Sequence, residues 1–310
     1  MLSDNPNDDF ELMNTRVYGW QQNKMSGLSK QCDCVIFWGV IYNVPKSDVK
    51  TVFACTRTNT YCIYKLGKLL DTLENKVNVV IAGEDWTFPN SIDSRHKPTT
   101  EKDRLYFQQI INHDKINKIF VENLDEDLGD KVISIPLGIN SVECPVNLKY
   151  FLKFENLTKK PLLITDFNRK SRGHERYNVR KLCDTVWVQF FKKTREHTNE
   201  SYLKLLSNSS AFTLCVHGGG LDPCPKLFDA LLVGVIPIIR KTPQSSAFNS
   251  FPVVILDDWT PDAITEEKLK EWYDIYSPYF LQPELRNEVL KKLSLKYWVD
   301  KINDFQELEL

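Results

Sequence analysis

Short runs of β-branched and aromatic residues, each closed by a turn signal and followed by a helix-like stretch, recur in two successive sets along this chain. The first set has candidate strands at Cys34–Ile41, Val52–Cys55, Val77–Ile81, Lys118–Val121 and Val132–Ile135, with helices over Tyr61–Leu73 and Glu101–Asn112. Nearly continuous apolar strands separated by helices are what a parallel sheet with βαβ crossovers requires, because helices cover both of its faces. Pro136-Leu137-Gly138 closes that set, and Glu143–Lys160 reads as a connection. The pattern restarts with strands at Leu162–Thr165, Val186–Phe190, Phe212–Val216, Val235–Ile239 and Val253–Leu256, and helices at Glu175–Cys183, Glu200–Leu206 and Lys226–Val233. From Ile264 the tail is helical, divided by Pro278 and Pro283. A chain of 310 residues suits two domains of ordinary size. The expectation is α/β: two Rossmann-like, doubly wound domains facing across a cleft, 1–145 (with 1–30 an irregular lead-in or covering arm) and 146–310.

Charge restricts the partners. Lys and Arg (40) nearly balance Asp and Glu (41), so no global field draws the chain to nucleic acid or to anionic lipid, and any polyanion site must be local. A small phosphorylated ligand fits that balance. Met1–Asn14 is acidic and polar, unlike a signal peptide, and runs such as Cys34–Tyr42 fall short of the roughly 20 apolar residues that span a bilayer. Most of the eight cysteines sit in or beside apolar segments, which suits reduced core thiols. Cys32-Asp33-Cys34 lacks the spacing of common zinc or redox motifs. The location expected is cytoplasmic, without a membrane anchor.

The densest chemistry lies between Phe212 and Ile239. Glycine is scarce, 12 residues in all, yet Gly218, Gly219 and Gly220 are consecutive, after a strand and before a helix. Backbone without side chains lets a ligand approach closely, and the next helix would offer free N–H groups to an anion; together these suit a diphosphate. Lys226 and Asp229, three apart, share a helix face. A cation there can neutralise phosphate, and a carboxylate one turn on can accept hydrogen bonds from ribose hydroxyls. Leu227, Phe228, Ala230, Leu231 and Leu232 bury the rest of this helix, and Gly234-Val235-Ile236-Pro237 ends it into a buried strand.

From Ser210 to Trp259 the sequence resembles the nucleotide-sugar-binding domain of glycosyltransferases with the GT-B fold, the exostosin-like group in particular. The resemblance rests on Phe212, Gly220-Leu221-Asp222, Lys226, Asp229-Ala230-Leu231, Gly234-Val235-Ile236-Pro237-Ile238, and the later strand ending Asp257-Asp258-Trp259. The group usually has Arg at the position of Lys226 and Glu at that of Asp229; both exchanges keep the charge and alter the reach. Fucosyltransferases of the same fold carry a related helix, so the donor class stays open. The resemblance implies a UDP-sugar donor such as UDP-xylose, with GDP-fucose as the alternative, a glycan acceptor, inversion at the anomeric carbon, and a C-terminal helix crossing back to the first domain. It also implies that the loop carrying Arg169, Arg172 and Arg176 meets the donor diphosphate, with His217 and Asp222 beside it. Cellular members sit behind a Golgi anchor; this chain reads as a virus- or microbe-encoded version.

An inverting transfer needs a base from the first domain. Glu84 and Asp85 follow the strand Val77–Ile81 at the edge that faces the cleft in such sheets, and the residues do not distinguish between them. Trp86 could stack on an acceptor sugar. No metal cluster is visible, since Asp257-Asp258 lacks a spacer, so neither metal nor cofactor is expected; cations at the phosphates would stabilise the leaving nucleotide. A non-catalytic glycan-binding or assembly protein on the same fold is the rival reading.

Overall fold

The computed structural model describes residues 11–13, 15, 27–42, 48–58, 60–93, 95–139, 160–165, 174–192, 206 and 210–304. The expected boundary at 145/146 and the helix Glu200–Leu206, except for Leu206, lie outside the described residues.

Two parallel-rich sheets form the frame. The first has the order β2-β1-β3-β4-β5-β6, built from β1 (Cys34–Phe37), β2 (Val40–Tyr42), β3 (Thr51–Cys55), β4 (Val77–Ala82), β5 (Ile116–Val121) and β6 (Val132–Ser134). All its pairings are parallel except β1 with β2. The second has the order β11-β10-β9-β7-β8 and is parallel throughout: β7 (Lys160–Thr165), β8 (Phe191–Lys192), β9 (Ser210–Leu214), β10 (Ile236–Arg240) and β11 (Val254–Leu256). Nine helices complete the described chain: α1 (Leu28–Gln31), α2 (Thr60–Leu70), α3 (Glu101–Ile111), α4 (His174–Thr185), α5 (Lys226–Leu232), α6 (Glu266–Tyr276), α7 (Pro278–Leu281), α8 (Pro283–Leu293) and α9 (Leu295–Asp304). Pro278 and Pro283 each stand at the start of a helix, where a missing N–H costs nothing.

Strand periodicity sorts the apolar side chains into layers. In β3, Val52 and Ala54 pack with Ile63 and Leu66 of α2 and Phe107 of α3, whereas Phe53 and Cys55 point to the opposite face. That opposite face joins one apolar cluster with Leu227, Phe228 and Leu231 of α5, Leu293, Trp298 and Ile302 of the C-terminal helices, and Ile239 of β10. The far face of the second sheet, through Phe212, Leu214, Ile236 and Ile238, packs with Val179 of α4 and Leu269 of α6. Helix α5 is therefore enclosed between the two sheets. Each fully buried aliphatic or aromatic side chain is worth about 1.5–3 kcal/mol, so this shared cluster binds the halves firmly.

The chain end crosses back onto the first half. Asn78 Nδ2 donates to the Ile302 carbonyl at 2.6 Å, Met13 N to the Leu293 carbonyl at 2.9 Å, and Leu295 N to the Glu11 carbonyl at 2.6 Å. Leu12 and Met13 are buried in the shared core, so this part of the lead-in is pinned.

Two strand expectations are corrected. Cys34–Ile41 is a hairpin: Trp38 (φ 52°) and Gly39 (φ 71°) make a two-residue turn between Phe37 and Val40, which pair with each other. Any Cβ on Gly39 would lie 2.0 Å from the Tyr61 ring. Val186–Phe190 contains a 3-10 turn over Val188–Phe190, because Trp187 is buried and its Nε1 donates to the Pro261 carbonyl at 2.9 Å; pairing begins only at Phe191.

Buried polar side chains clasp the two halves. Asn123, at φ 61° just after β5, donates through Nδ2 to the Glu84 carbonyl at 3.0 Å. Its Oδ1 accepts from the amides of Leu221 (2.7 Å) and Asp222 (2.8 Å). In return Asp222 Oδ2 accepts from Leu137 N at 2.9 Å. Gln244 accepts from Leu124 N at 3.0 Å and donates to the Ile135 carbonyl at 2.6 Å. An amide left unsatisfied in the interior costs far more than its hydrogen bond contributes. Replacing Asn123 with Ala strands two amides, and is expected to lower unfolding stability by about 2–4 kcal/mol in urea titrations; a loss within the error of the titration would show that the clasp does not hold the halves.

Candidate active site

The C-terminal ends of the two sheets meet at the glycine turn that follows β9. Three side chains cover it, and each explains one glycine. A Cβ on Gly218 would lie 2.9 Å from Arg176 Nη2, one on Gly219 1.1 Å from Arg95 Nη2, and one on Gly220 2.1 Å from Asn123 Oδ1. Arg176 comes from the second half, Arg95 and Asn123 from the first. The turn is thus the seam of the molecule, and only backbone fits there.

The amides of Leu221 and Asp222 are taken by Asn123, and Cys224 N is taken by Asp222 Oδ1 at 2.8 Å. They are closed to an anion. Helix α5 starts at Lys226, where the sequence placed it, and residues 221–225 separate it from the glycines. Among the described residues the amides of Gly218, Gly219 and Gly220 have no partner.

Around this turn stand the cations. Arg176 Nε donates to the His217 carbonyl at 3.1 Å and Nη2 to the Val216 carbonyl at 3.3 Å, which aligns the guanidinium along the end of β9. Arg95 is held by Asp93 (Nη2 to Oδ2, 2.5 Å) and by Asp85 (2.9 Å), and these hydrogen bonds keep it firmly protonated. Lys226 and Asp229 are the half-buried residues of an otherwise enclosed α5. Both act electrostatically on the buried thiol of Cys215 at the end of β9, so their charges lie close to the same strand end. Arg169 and Arg172 lie outside the described residues.

Glu84 and Asp85 follow β4 and are each about one-third exposed. Glu84 Oε1 pairs with Arg57 Nε at 3.3 Å, and Asp85 with Arg95. The structure therefore brings Asp85 to the glycine turn through Arg95, and Glu84 through its carbonyl on Asn123. Trp86 is corrected: it is 1% exposed and packs edge-on to Phe88 and Phe107, inside the core and closed to a sugar. Asp222 is 8% exposed with both carboxylate oxygens on backbone amides, which makes it a structural anchor of the turn.

Beside the turn lies a charge network at the same sheet edge. Glu175, in the first turn of α4, accepts from His217 Nε2 at 2.5 Å, from Arg240 Nη2 at 2.8 Å and Nε at 3.2 Å, and from Trp259 Nε1 at 2.6 Å. Burial alone would raise its pKa; the hydrogen bonds from His217 and Arg240, the proximity of His217 and the bond from Trp259 outweigh that and hold it down at about 2. Another buried carboxylate, Glu122, ends β5 and accepts from Thr15 Oγ1 at 2.6 Å and Gly83 N at 2.9 Å.

Arg95, Asn123, Glu122, Glu175 and Arg240 carry no local motif. Glu175 and Glu122 could have been noticed as carboxylates at strand or helix ends facing the cleft. Arg95 and Asn123 reach the glycine turn only through the meeting of the halves. The described cysteines are free and, except for Cys224, buried; burial pushes the Cys32 thiol to about 12 and Cys34 to about 11, as befits inert core thiols. Among the described residues no group of His, Cys, Asp and Glu converges as a metal site, and no helix is long and apolar enough to cross a membrane.

No protein-family model matches the sequence, and no curated protein matches it. Among solved structures the chain is similar to a glycosyltransferase from Rickettsia africae ESF-5, at 12% identity and a TM-score of 0.42 over 84% of this chain and 78% of that one. So distant a likeness leaves the functional argument to the residues themselves.

Glu175 makes the network testable by acid. Its folded pKa is about 2 against an ordinary 4.5, so between those values the unfolded chain binds the extra proton. The contribution, about 3 kcal/mol, is complete above pH 4.5 and is lost as pH falls toward 2. Glu175→Gln is expected to lose that share at neutral pH and to flatten the acid limb of a stability–pH profile; parallel profiles for the two proteins would dismiss the assignment.

Proposed function

We propose that the chain is a glycosyltransferase that binds a nucleotide-sugar at the glycine turn and transfers the sugar to a hydroxyl of a glycan acceptor. The observation that carries this reading is the convergence on Gly218–Gly220 of cations from both halves, opposite the carboxylates that end β4. Open glycine amides and guanidinium groups suit a diphosphate, and bidentate arginine contacts are the strong form of that recognition. Lys226 adds a further charge, and Asp229 is suited to accept from ribose hydroxyls. The same cations would stabilise the nucleotide diphosphate as it departs, a role a divalent metal plays in other transferases.

The fold in this reading is GT-B-like, with the first half presenting the acceptor and the second the donor, in the exostosin-like manner suggested by Ser210–Trp259. A UDP-sugar is the leading donor class and GDP-fucose the alternative. Inversion would use Glu84 or Asp85 to take the proton of the acceptor hydroxyl. One observation favours a second reading, a non-catalytic glycan-binding protein: Arg95 lies across Gly219 and must move for a ligand to reach the turn.

A thermal-shift panel of UDP, GDP and NAD separates these readings. Stabilisation by UDP or GDP is expected, and silence from both would sink the transferase. Asp229→Ala is expected to weaken nucleotide binding about tenfold, roughly 1.4 kcal/mol, with the melting temperature of the ligand-free protein unchanged; undiminished affinity removes it from the ribose role. Glu84→Gln and Asp85→Asn, tested in turn on donor turnover, identify the base: its loss lowers kcat by at least about a hundredfold while donor affinity holds. If neither variant lowers kcat, the base is elsewhere.

A further inference from the structure

His217 stands immediately before the glycine turn, and its ring has a fixed side and a vacant one. The fixed side is Nε2, 2.5 Å from Glu175 Oε2. Glu175 is held ionised by its surroundings and can only accept, so Nε2 carries the hydrogen. The 2.9 Å approach of Arg240 Nη2 to the same nitrogen is then no hydrogen bond, since both are donors; Arg240 bonds to Glu175 instead. In the neutral imidazole the lone pair is left on Nδ1. That atom is buried and, among the described residues, has no hydrogen-bond partner.

A buried acceptor without a donor is rare in folded proteins, and a ligand is one of the few things that explain it. Charged groups face the ring from several elements: Glu175 on α4, Arg240 on β10, and Arg176 through the His217 carbonyl. None supplies a hydrogen to Nδ1. We infer that His217 is held as the neutral imidazole and that its Nδ1 is the acceptor reserved for a hydroxyl of the bound nucleotide-sugar, with Glu175 as the positioning residue that fixes the ring's tautomer and Arg240 and Trp259 as the groups that fix Glu175. This rests on the nucleotide-sugar reading and adds a requirement to it: the ligand must present a hydroxyl donor, from ribose or from the transferred sugar, beside the diphosphate.

Glu175→Gln provides a reversal that mere loss of packing would not. Its amide oxygen is best kept where Trp259 Nε1 and Arg240 Nε both donate, which turns the NH₂ toward His217 Nε2. The imidazole must then accept at Nε2 and carry its hydrogen on Nδ1, so an acceptor becomes a donor.

The experiment compares the wild type with His217→Phe, His217→Asn and Glu175→Gln by titration calorimetry against pyrophosphate, UDP and UDP-xylose, and against GDP and GDP-fucose. Long-range ¹H–¹⁵N spectra of the ring report the tautomer. The wild type is expected to show Nε2–H and Glu175→Gln to show Nδ1–H. His217→Phe is expected to lose about tenfold in affinity for the hydroxyl-bearing ligand with pyrophosphate binding unchanged. His217→Asn, whose amide oxygen stands near the place of Nδ1, should recover part of that loss. A loss seen with the nucleotide alone assigns the hydroxyl to ribose; a loss confined to the nucleotide-sugar assigns it to the sugar. Equal losses that include pyrophosphate, no loss at all, or Nδ1–H in the wild type each overturn the assignment while leaving nucleotide binding intact. A wild type that binds none of these ligands overturns the transferase reading, and the assignment with it.

Discussion

The side chain of Asn123 is the contact on which the rest of this molecule depends. It joins the carbonyl of Glu84, at the end of β4, to the amides of Leu221 and Asp222, at the end of the glycine turn, with distances of 2.7–3.0 Å. Both halves thereby share one hydrogen-bonded seam. Asn is suited to the position because it tolerates the positive φ there and offers a donor and an acceptor from one planar group. The adjoining bonds of Asp222 and Gln244 run between the same halves and satisfy the amides of Leu137 and Leu124. In a low-dielectric interior such a network is costly when incomplete and rigid when complete. The glycines follow from it: Gly220 leaves room for Asn123, and Gly219 and Gly218 leave room for the two arginines.

Rigidity at the seam matters because the site is a balance of charge. Arg95 is neutralised by Asp85 and Asp93, and Arg240 by Glu175. Cations assembled without carboxylates would repel one another and destabilise the fold; cations held by carboxylates stay ordered and pointed before any ligand arrives. On the proposed reading a diphosphate entering the turn would meet an Arg176 already aligned by the carbonyls of Val216 and His217, while Arg95 would have to swing off Gly219. The carboxylates also set a condition: on the proposed reading an incoming anion would compete with Asp85 for Arg95, so that binding would free Asp85.

Much of this was legible in the sequence where local chemistry decides the outcome. β3 and β4 read correctly because each is a run buried throughout, β10 and the later part of β5 because they are largely so, and α5 because its pattern leaves only Lys226 and Asp229 half-exposed. Cys34–Ile41 misled because Trp38 resembles a strand residue, while the turn was signalled only by Gly39. Val186–Phe190 misled because a tertiary contact, Trp187 to the Pro261 carbonyl, overrode β-propensity. Trp86 has the composition of a sugar platform, but its surroundings, Phe88 and Phe107, come from a loop and a helix and make it core. Arg95 and Asn123 were illegible for a different reason: the glycine turn they cover lies on the other half of the chain, at a separation no motif spans.

Helix α5 shows how far from the cleft the site is determined. It has 7 residues, too few to persist alone, since nucleation costs more than so short a ladder returns. Burial between the sheets holds its sides. Its entry is set by Asp222, which ties the preceding turn to Leu137 and Cys224. Its exit is capped by Arg286 of α8, whose Nη1 and Nη2 donate to the carbonyls of Leu231 and Leu232, the last of the helix, at 2.7 and 2.5 Å. A cation at that end also complements the helix dipole. Arg286 in turn lies over the ring of Phe280, 5.8 Å from its centroid, so the C-terminal helices fix the guanidinium. The placement of Lys226 and Asp229 beside the glycine turn is therefore a consequence of contacts at the opposite end of their helix, and the C-terminal segment that crosses back to Asn78 serves the site as well as the fold.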